Sequence, residues 1–71
     1  MSCADLTLRE LECLRHSADG YGTKEAARAM GISPWTVKDI RKRVMSKLYA
    51  KNITHAVAIA IARGLIQAVA I

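Results

Sequence analysis

The stretch Gly31-Ile32-Ser33-Pro34-Trp35-Thr36-Val37-Lys38-Asp39-Ile40-Arg41-Lys42-Arg43-Val44-Met45-Ser46-Lys47-Leu48-Tyr49 decides the fold. It opens on a glycine, which accepts the left-handed backbone that often ends a helix. Ser33-Pro34 is a start signal: a hydroxyl to cap free amides, then a ring suited to the first helical position. Val37, Ile40, Val44 and Leu48 follow at helical spacing and define a core stripe. At about 100° per residue, Lys38, Lys42, Met45, Ser46 and Tyr49 turn away from that stripe. Trp35 and Asp39 lie on the same outward side, Arg41 beside the apolar stripe and Arg43 on the far flank. The spacing predicts a helix over 34–49 with an outward cationic face.

Upstream, Thr7 and Glu10 form a capping-box pattern. Leu8, Leu11, Leu14 and Ala18 then repeat at helical spacing, predicting a helix over about 8–19 that Gly20 and Gly22 stop. A short, alanine-rich helix over 24–30, capped by Thr23, ends at Gly31. Only Gly31-Ile32-Ser33 separates it from the cationic helix. Helix, short glycine turn and a second helix with outward bases form a helix-turn-helix pattern, and an α-helix fits the major groove of B-DNA. A helical hairpin with no binding role shows the same turn.

Downstream, Asn52 lies in a turn and Thr54 is the expected cap of a fourth helix over about 54–70. One of its faces carries Val57, Ile61, Gly64, Leu65 and Ala68. Nearly opposite lie His55, Ile59, Ala62, Ile66 and Val69. A small core needs one apolar stripe, so the second predicts a partner surface, read as a two-fold homodimer. Burial in a larger complex is the alternative. The expected architecture is an all-α, four-helix helix-turn-helix domain filling residues 1–71, with the third helix for recognition and the fourth for dimerisation.

The 71 residues carry 11 Lys+Arg against 6 Asp+Glu, a net charge of +5. Residues 1–30 hold four bases and five acids, or −1, whereas residues 31–71 hold seven bases and Asp39, or +6. Six of those bases fall between Lys38 and Lys51, the footprint expected of a phosphate-binding face. So small a chain leaves little room for a substrate cleft. No paired carboxylates, nucleophile–base pair or phosphate loop can be assembled, which disfavours an enzyme. Two cysteines make no disulfide framework, and Cys13, at an apolar position, reads as a reduced core thiol. With His16 and His55 they offer no zinc spacing, so neither metal nor cofactor is expected. The apolar tail over 56–71 contains Arg63, Gly64 and Gln67 and is shorter than the roughly 20 residues of a membrane span. The expected location is the cytoplasm, with the nucleoid.

Several blocks now resemble a known family. Leu6-Thr7-Leu8-Arg9-Glu10-Leu11-Glu12-Cys13-Leu14 resembles the opening of the LuxR/FixJ/GerE-type DNA-binding domain, and Lys24-Glu25-Ala26-Ala27 its second-helix motif. Gly31-Ile32-Ser33 with Thr36-Val37-Lys38, then Lys47-Leu48, Asn52, Ala56-Val57 and Gly64-Leu65-Ile66, continue the match without a gap over about residues 5–66. The resemblance implies four helices, the third for recognition and the fourth for dimerisation. It places Lys38, Asp39 and Lys42 where bases are read, and Thr36, Lys24 and Lys47 where phosphates are approached. Three residues depart from the pattern: Ile40 where His is frequent, Tyr49 where Gly is common, and Ile53 in place of an Arg after Asn52.

The candidate DNA-contacting set is therefore Lys38, Asp39, Lys42, Thr36, Trp35, Arg43, Ser46, Lys47 and Lys24. Arg43 suits phosphates better than bases. Asp39 is favoured as a holder of Lys38 or Arg43, with acceptance from a cytosine amino group as its other role. Trp35 has two placements, against a sugar-phosphate backbone or packed over its own turn. Met45 and Tyr49 extend the groove contact or cover the core edge. Glu10 and Glu12 read as scaffold and surface, His16 and His55 as ordinary polar positions. The leading expectation is a stand-alone dimeric transcription regulator of a roughly palindromic site, since Met1 so closely precedes the first motif. The alternative is an interaction module that pairs through its fourth helix with a larger regulator or a polymerase component. A promoter-recognition domain like that of a sigma factor is a third, weaker reading.

Overall fold

The computed structural model describes residues 6–67. They form four helices, α1 (Leu8–Ala18), α2 (Thr23–Met30), α3 (Pro34–Leu48) and α4 (Ile53–Ala62), with no strand among the described residues. Local chemistry sets each start. The Thr7 hydroxyl accepts from the Glu10 N–H at 3.2 Å, and Glu10 Oε1 accepts from the Thr7 N–H at 2.8 Å, completing the capping box of α1. Ser33 Oγ accepts from the Thr36 N–H at 3.2 Å ahead of Pro34. Two caps differ from expectation. α2 starts at Thr23 itself, because Gly22 is the cap and Glu25 Oε1 accepts its N–H at 2.9 Å. α4 starts at Ile53, because Asn52 Oδ1, and not Thr54, takes the His55 N–H at 2.8 Å.

All four helices end the same way. Residues Gly20, Gly31, Tyr49 and Gly64 have φ of +88°, +69°, +55° and +73°. The residue after each donates back to a carbonyl five positions earlier: Tyr21 to His16, Ile32 to Ala27, Ala50 to Met45 and Leu65 to Ala60, at 2.8–3.0 Å. This is the Schellman closure, which satisfies carbonyls that a helix end leaves free. It explains the main correction to the helix bounds. α4 stops at Ala62, well short of residue 70, because Gly64 turns left-handed although the apolar pattern continues beyond it. α1 and α3 each end one residue before the expected bound, at Ala18 and Leu48.

The core lies where the helices meet. Cys13 and Leu14 of α1, Ala26, Ala27 and Met30 of α2, and Val37, Ile40, Val44 and Leu48 of α3 are buried. Full burial of a side chain such as Leu14 or Leu48 contributes about 1.5–3 kcal/mol. α4 contributes Ala56 and Ala60, with Val57 and Ile61 only half-buried, so the face turned inward differs from the one expected. Alanines there let α4 lie close. After the Gly64 turn the chain folds back and buries Ile66. Leu8, placed in the core by spacing, is instead 82% exposed. It borders an open groove between α1 and the segment after α4, with Leu11, Ala18 and Leu65. Cys13 is a free, buried thiol; burial pushes its pKa up, against a hydrogen bond and charge from Arg41. No described helix is long and apolar enough to cross a membrane.

Candidate nucleic-acid interface

Two arginines brace α2, one from α3 and one from α1. Arg41 Nη1 donates to Thr23 Oγ1 at 3.2 Å and Nη2 to the Tyr21 carbonyl at 3.1 Å, pinning mid-α3 to the start of α2. Arg9 Nη1, from α1, donates to the Met30 carbonyl at 3.1 Å at the far end of α2. Sequence reasoning missed both roles. The place of Arg41 beside the apolar stripe was the available signal; for Arg9, whose partner is 21 positions away, local spacing held none. Gly31 bends the chain between the two helices, and half-buried Ile32 anchors the turn on the core.

With α3 held this way, Trp35, Lys38, Asp39, Lys42, Arg43 and Ser46 are all exposed. A 15-residue helix is about 22 Å long. Trp35, Asp39, Lys42 and Ser46 run along one line of its outer face, with Lys38 and Arg43 to either side. Among the described residues Lys42 and Arg43 enter no ion pair. Thr36 and Lys24 are exposed at the starts of α3 and α2; the Thr36 hydroxyl lies 2.9 Å from Ser33 Oγ, within the cap.

Several expectations are corrected by this geometry. Lys47 does not point into the cationic face: its Nζ lies 2.9 Å from Oε1 of Glu10, a carboxylate only 2% exposed. Burial pushes the Glu10 carboxyl up, but the Lys47 hydrogen bond and charge, with the Thr7 amide and hydroxyl, more than offset this and hold it below 4.5. Asp39 pairs with neither Lys38 nor Arg43. Lys38 instead places Nζ 5.7 Å from the centre of the Trp35 ring, a cation–π arrangement. Trp35 is 79% exposed, so it does not pack over its own turn. Met45 is half-buried against the core, while Tyr49 is exposed. Ile40 is buried and Ile53 packs on the core, so both departures from the family pattern extend the apolar interior. His16, read as an ordinary polar position, stacks on Tyr21 with centroids 5.1 Å apart.

The expected dimer set divides. His55 and Ala62 are exposed on α4, together with Ala58. Ile59 is half-buried against the core. Ile66 is buried in its own chain, because the Gly64 turn directs it inward, so it is removed from the partner surface. Val69 lies outside the described residues. His55 Nδ1 accepts the Lys51 N–H at 3.1 Å, which leaves Nε2 as the ring's second polar atom. Among the described residues no three His, Cys, Asp or Glu converge on a metal-binding arrangement.

A glycine turn, two clamped helices and an exposed cationic face on the second of them define a helix-turn-helix domain. Residues 4–60 match the family described as bacterial regulatory proteins, luxR family, and the chain belongs to that family. It is a family of DNA-binding transcription regulators and not of enzymes. The chain is 41% identical over 62 residues to the HTH-type quorum sensing-dependent transcriptional regulator VjbR of Brucella ovis, covering 87% of this chain and 24% of the relative. It is 42% identical over 62 residues to the response regulator protein VraR of Staphylococcus aureus, covering 87% and 30%. The chain thus spans under a third of the length of these relatives.

Proposed function

We propose that this chain binds duplex DNA as a homodimer, reads a roughly palindromic site in the major groove, and regulates transcription in the bacterial cytoplasm. The observation that carries the reading is the exposed face of α3, where Lys38, Lys42 and Arg43 have no carboxylate partner among the described residues, on a helix clamped at the turn. Lys38 and Lys42 reach base edges, where a lysine suits guanine O6 and N7, and Asp39, holding no cation, accepts from a cytosine amino group. Arg43, Lys24 and the Thr36 side chain serve phosphates at the flanks. Lys47 acts indirectly, by positioning α3 through Glu10. The dimer forms through the outward face of α4, His55, Ala58, Ile59 and Ala62, where two alanines permit close approach of a second helix. A two-fold axis there sets the recognition helices about 34 Å apart, one turn of DNA.

Selection from a random duplex pool at near-physiological salt tests the reading. An enriched inverted repeat is expected. Lys38→Ala and Lys42→Ala should each lower affinity for it by about 1–3 kcal/mol if they contact bases. Full affinity with both lysines removed would withdraw the groove assignment.

A further inference from the structure

The tryptophan of α3 is unexplained by folding. Trp35 is the chain's only tryptophan, and 79% of it faces solvent. Tryptophan is among the side chains with most to gain from burial. Here it sits at the second position of α3, after Pro34, on the same outward line as Asp39 and Lys42. The first turns of a recognition helix are the ones that approach base edges.

Resting on the DNA-binding reading above, we propose that Trp35 is a specificity residue that packs its ring on the 5-methyl group of a thymine in each half-site. Three observations converge on that chemistry. The major groove is lined by hydrogen-bonding atoms, and the thymine methyl is the apolar group it displays. Lys38 Nζ lies over the Trp35 ring at 5.7 Å, so the two side chains restrain each other before any ligand arrives. The cation lies to one side of the ring, and the indole, which is carbon apart from its Nε1–H, stays largely exposed. The same pairing sets a lysine ammonium next to that apolar surface, which fits a thymine adjoining a guanine whose O6 and N7 take Lys38. Trp35 and Lys38 thus read a two-base step as one unit, apolar beside cationic.

The experiment uses the duplex obtained by selection. Each thymine is replaced in turn by deoxyuridine, which deletes only the 5-methyl group, and binding is followed by fluorescence anisotropy of the labelled duplex. One thymine per half-site should be sensitive, its replacement weakening the wild-type protein about fourfold, the value for one buried methyl-sized group. Trp35→Ala should bind the thymine duplex more weakly and show no further loss with deoxyuridine. Its melting temperature should match the wild type, since the ring is exposed. Lys38→Gln should shift the tryptophan emission of the free protein and reduce the preference for thymine.

If the protein enriches a specific repeat but no thymine is methyl-sensitive, or if Trp35→Ala still prefers thymine, the assignment is overturned while the DNA-binding reading stands. Uniform weakening of Trp35→Ala on every sequence would mean stacking on the sugar-phosphate backbone and also overturns it. If no sequence is enriched at all, the DNA-binding reading falls and this inference falls with it.

Discussion

Tyr49 holds a backbone conformation that the other three helix ends give to glycine. At φ +55° it sits in the left-handed region, where an L-residue pays roughly 1–2 kcal/mol. Its side chain is 87% exposed and regains little of that by packing. Tyr49→Gly should therefore stabilise the fold by about 0.5–1 kcal/mol, once the greater freedom of glycine in the unfolded chain is subtracted. For a domain this size that is a rise in Tm of several degrees, about 4 °C. Thermal melting decides it: a lower Tm for the glycine variant would mean that the tyrosine ring makes contacts worth more than the strain. The outward direction of Trp35, Lys42, Arg43 and Ser46 was legible in the sequence because helical angle follows from spacing alone. The placement of Lys47 was not. Its partner Glu10 is 37 positions away, and no local rule connects a flanking lysine of one helix with a carboxylate buried under another.

Helix starts were easier to read than helix stops. Thr7 and Ser33 accept from amides three residues away and Pro34 fixes only its own φ, so the signals for α1 and α3 are local. At α4 the apolar pattern ran on past the true end. Gly64 is compatible with either a long helix or a left-handed stop, and periodicity cannot distinguish them. That ambiguity has a measurable sign. Inside a helix, Gly64→Ala would stabilise by about 1 kcal/mol. At φ +73°, with no atom within 4 Å of an added Cβ, the same change meets no clash and only backbone strain. Gly64→Ala should therefore destabilise the protein by about 1 kcal/mol, with no gain in helical circular dichroism. A more stable, more helical variant would restore the long helix and return Ile66 to the outer surface.

Across the whole molecule, one ion pair links the start of α1 to the end of α3. Glu10 takes the Thr7 amide for the α1 cap and Lys47 Nζ at 2.9 Å from α3, so a single carboxylate serves both the cap and the docking of the recognition helix. The pair is a source of acid sensitivity. The folded pKa of Glu10 lies below 4.5, so the unfolded state binds the proton more readily than the folded one. The stabilisation is then fully present above about pH 4.5 and is lost as pH falls through the folded value. Glu10→Gln keeps the shape and removes the charge, and it should lower stability at pH 7 by about 2 kcal/mol. Urea unfolding midpoints measured from pH 7 to pH 3 should show the two proteins drawing together as pH falls below about 4.5, since protonated Glu10 and glutamine are alike in charge. Parallel curves over that range would show that the pair contributes nothing specific to acid unfolding, and that α3 is docked on α1 by its buried Val44 and Leu48 without help from Lys47.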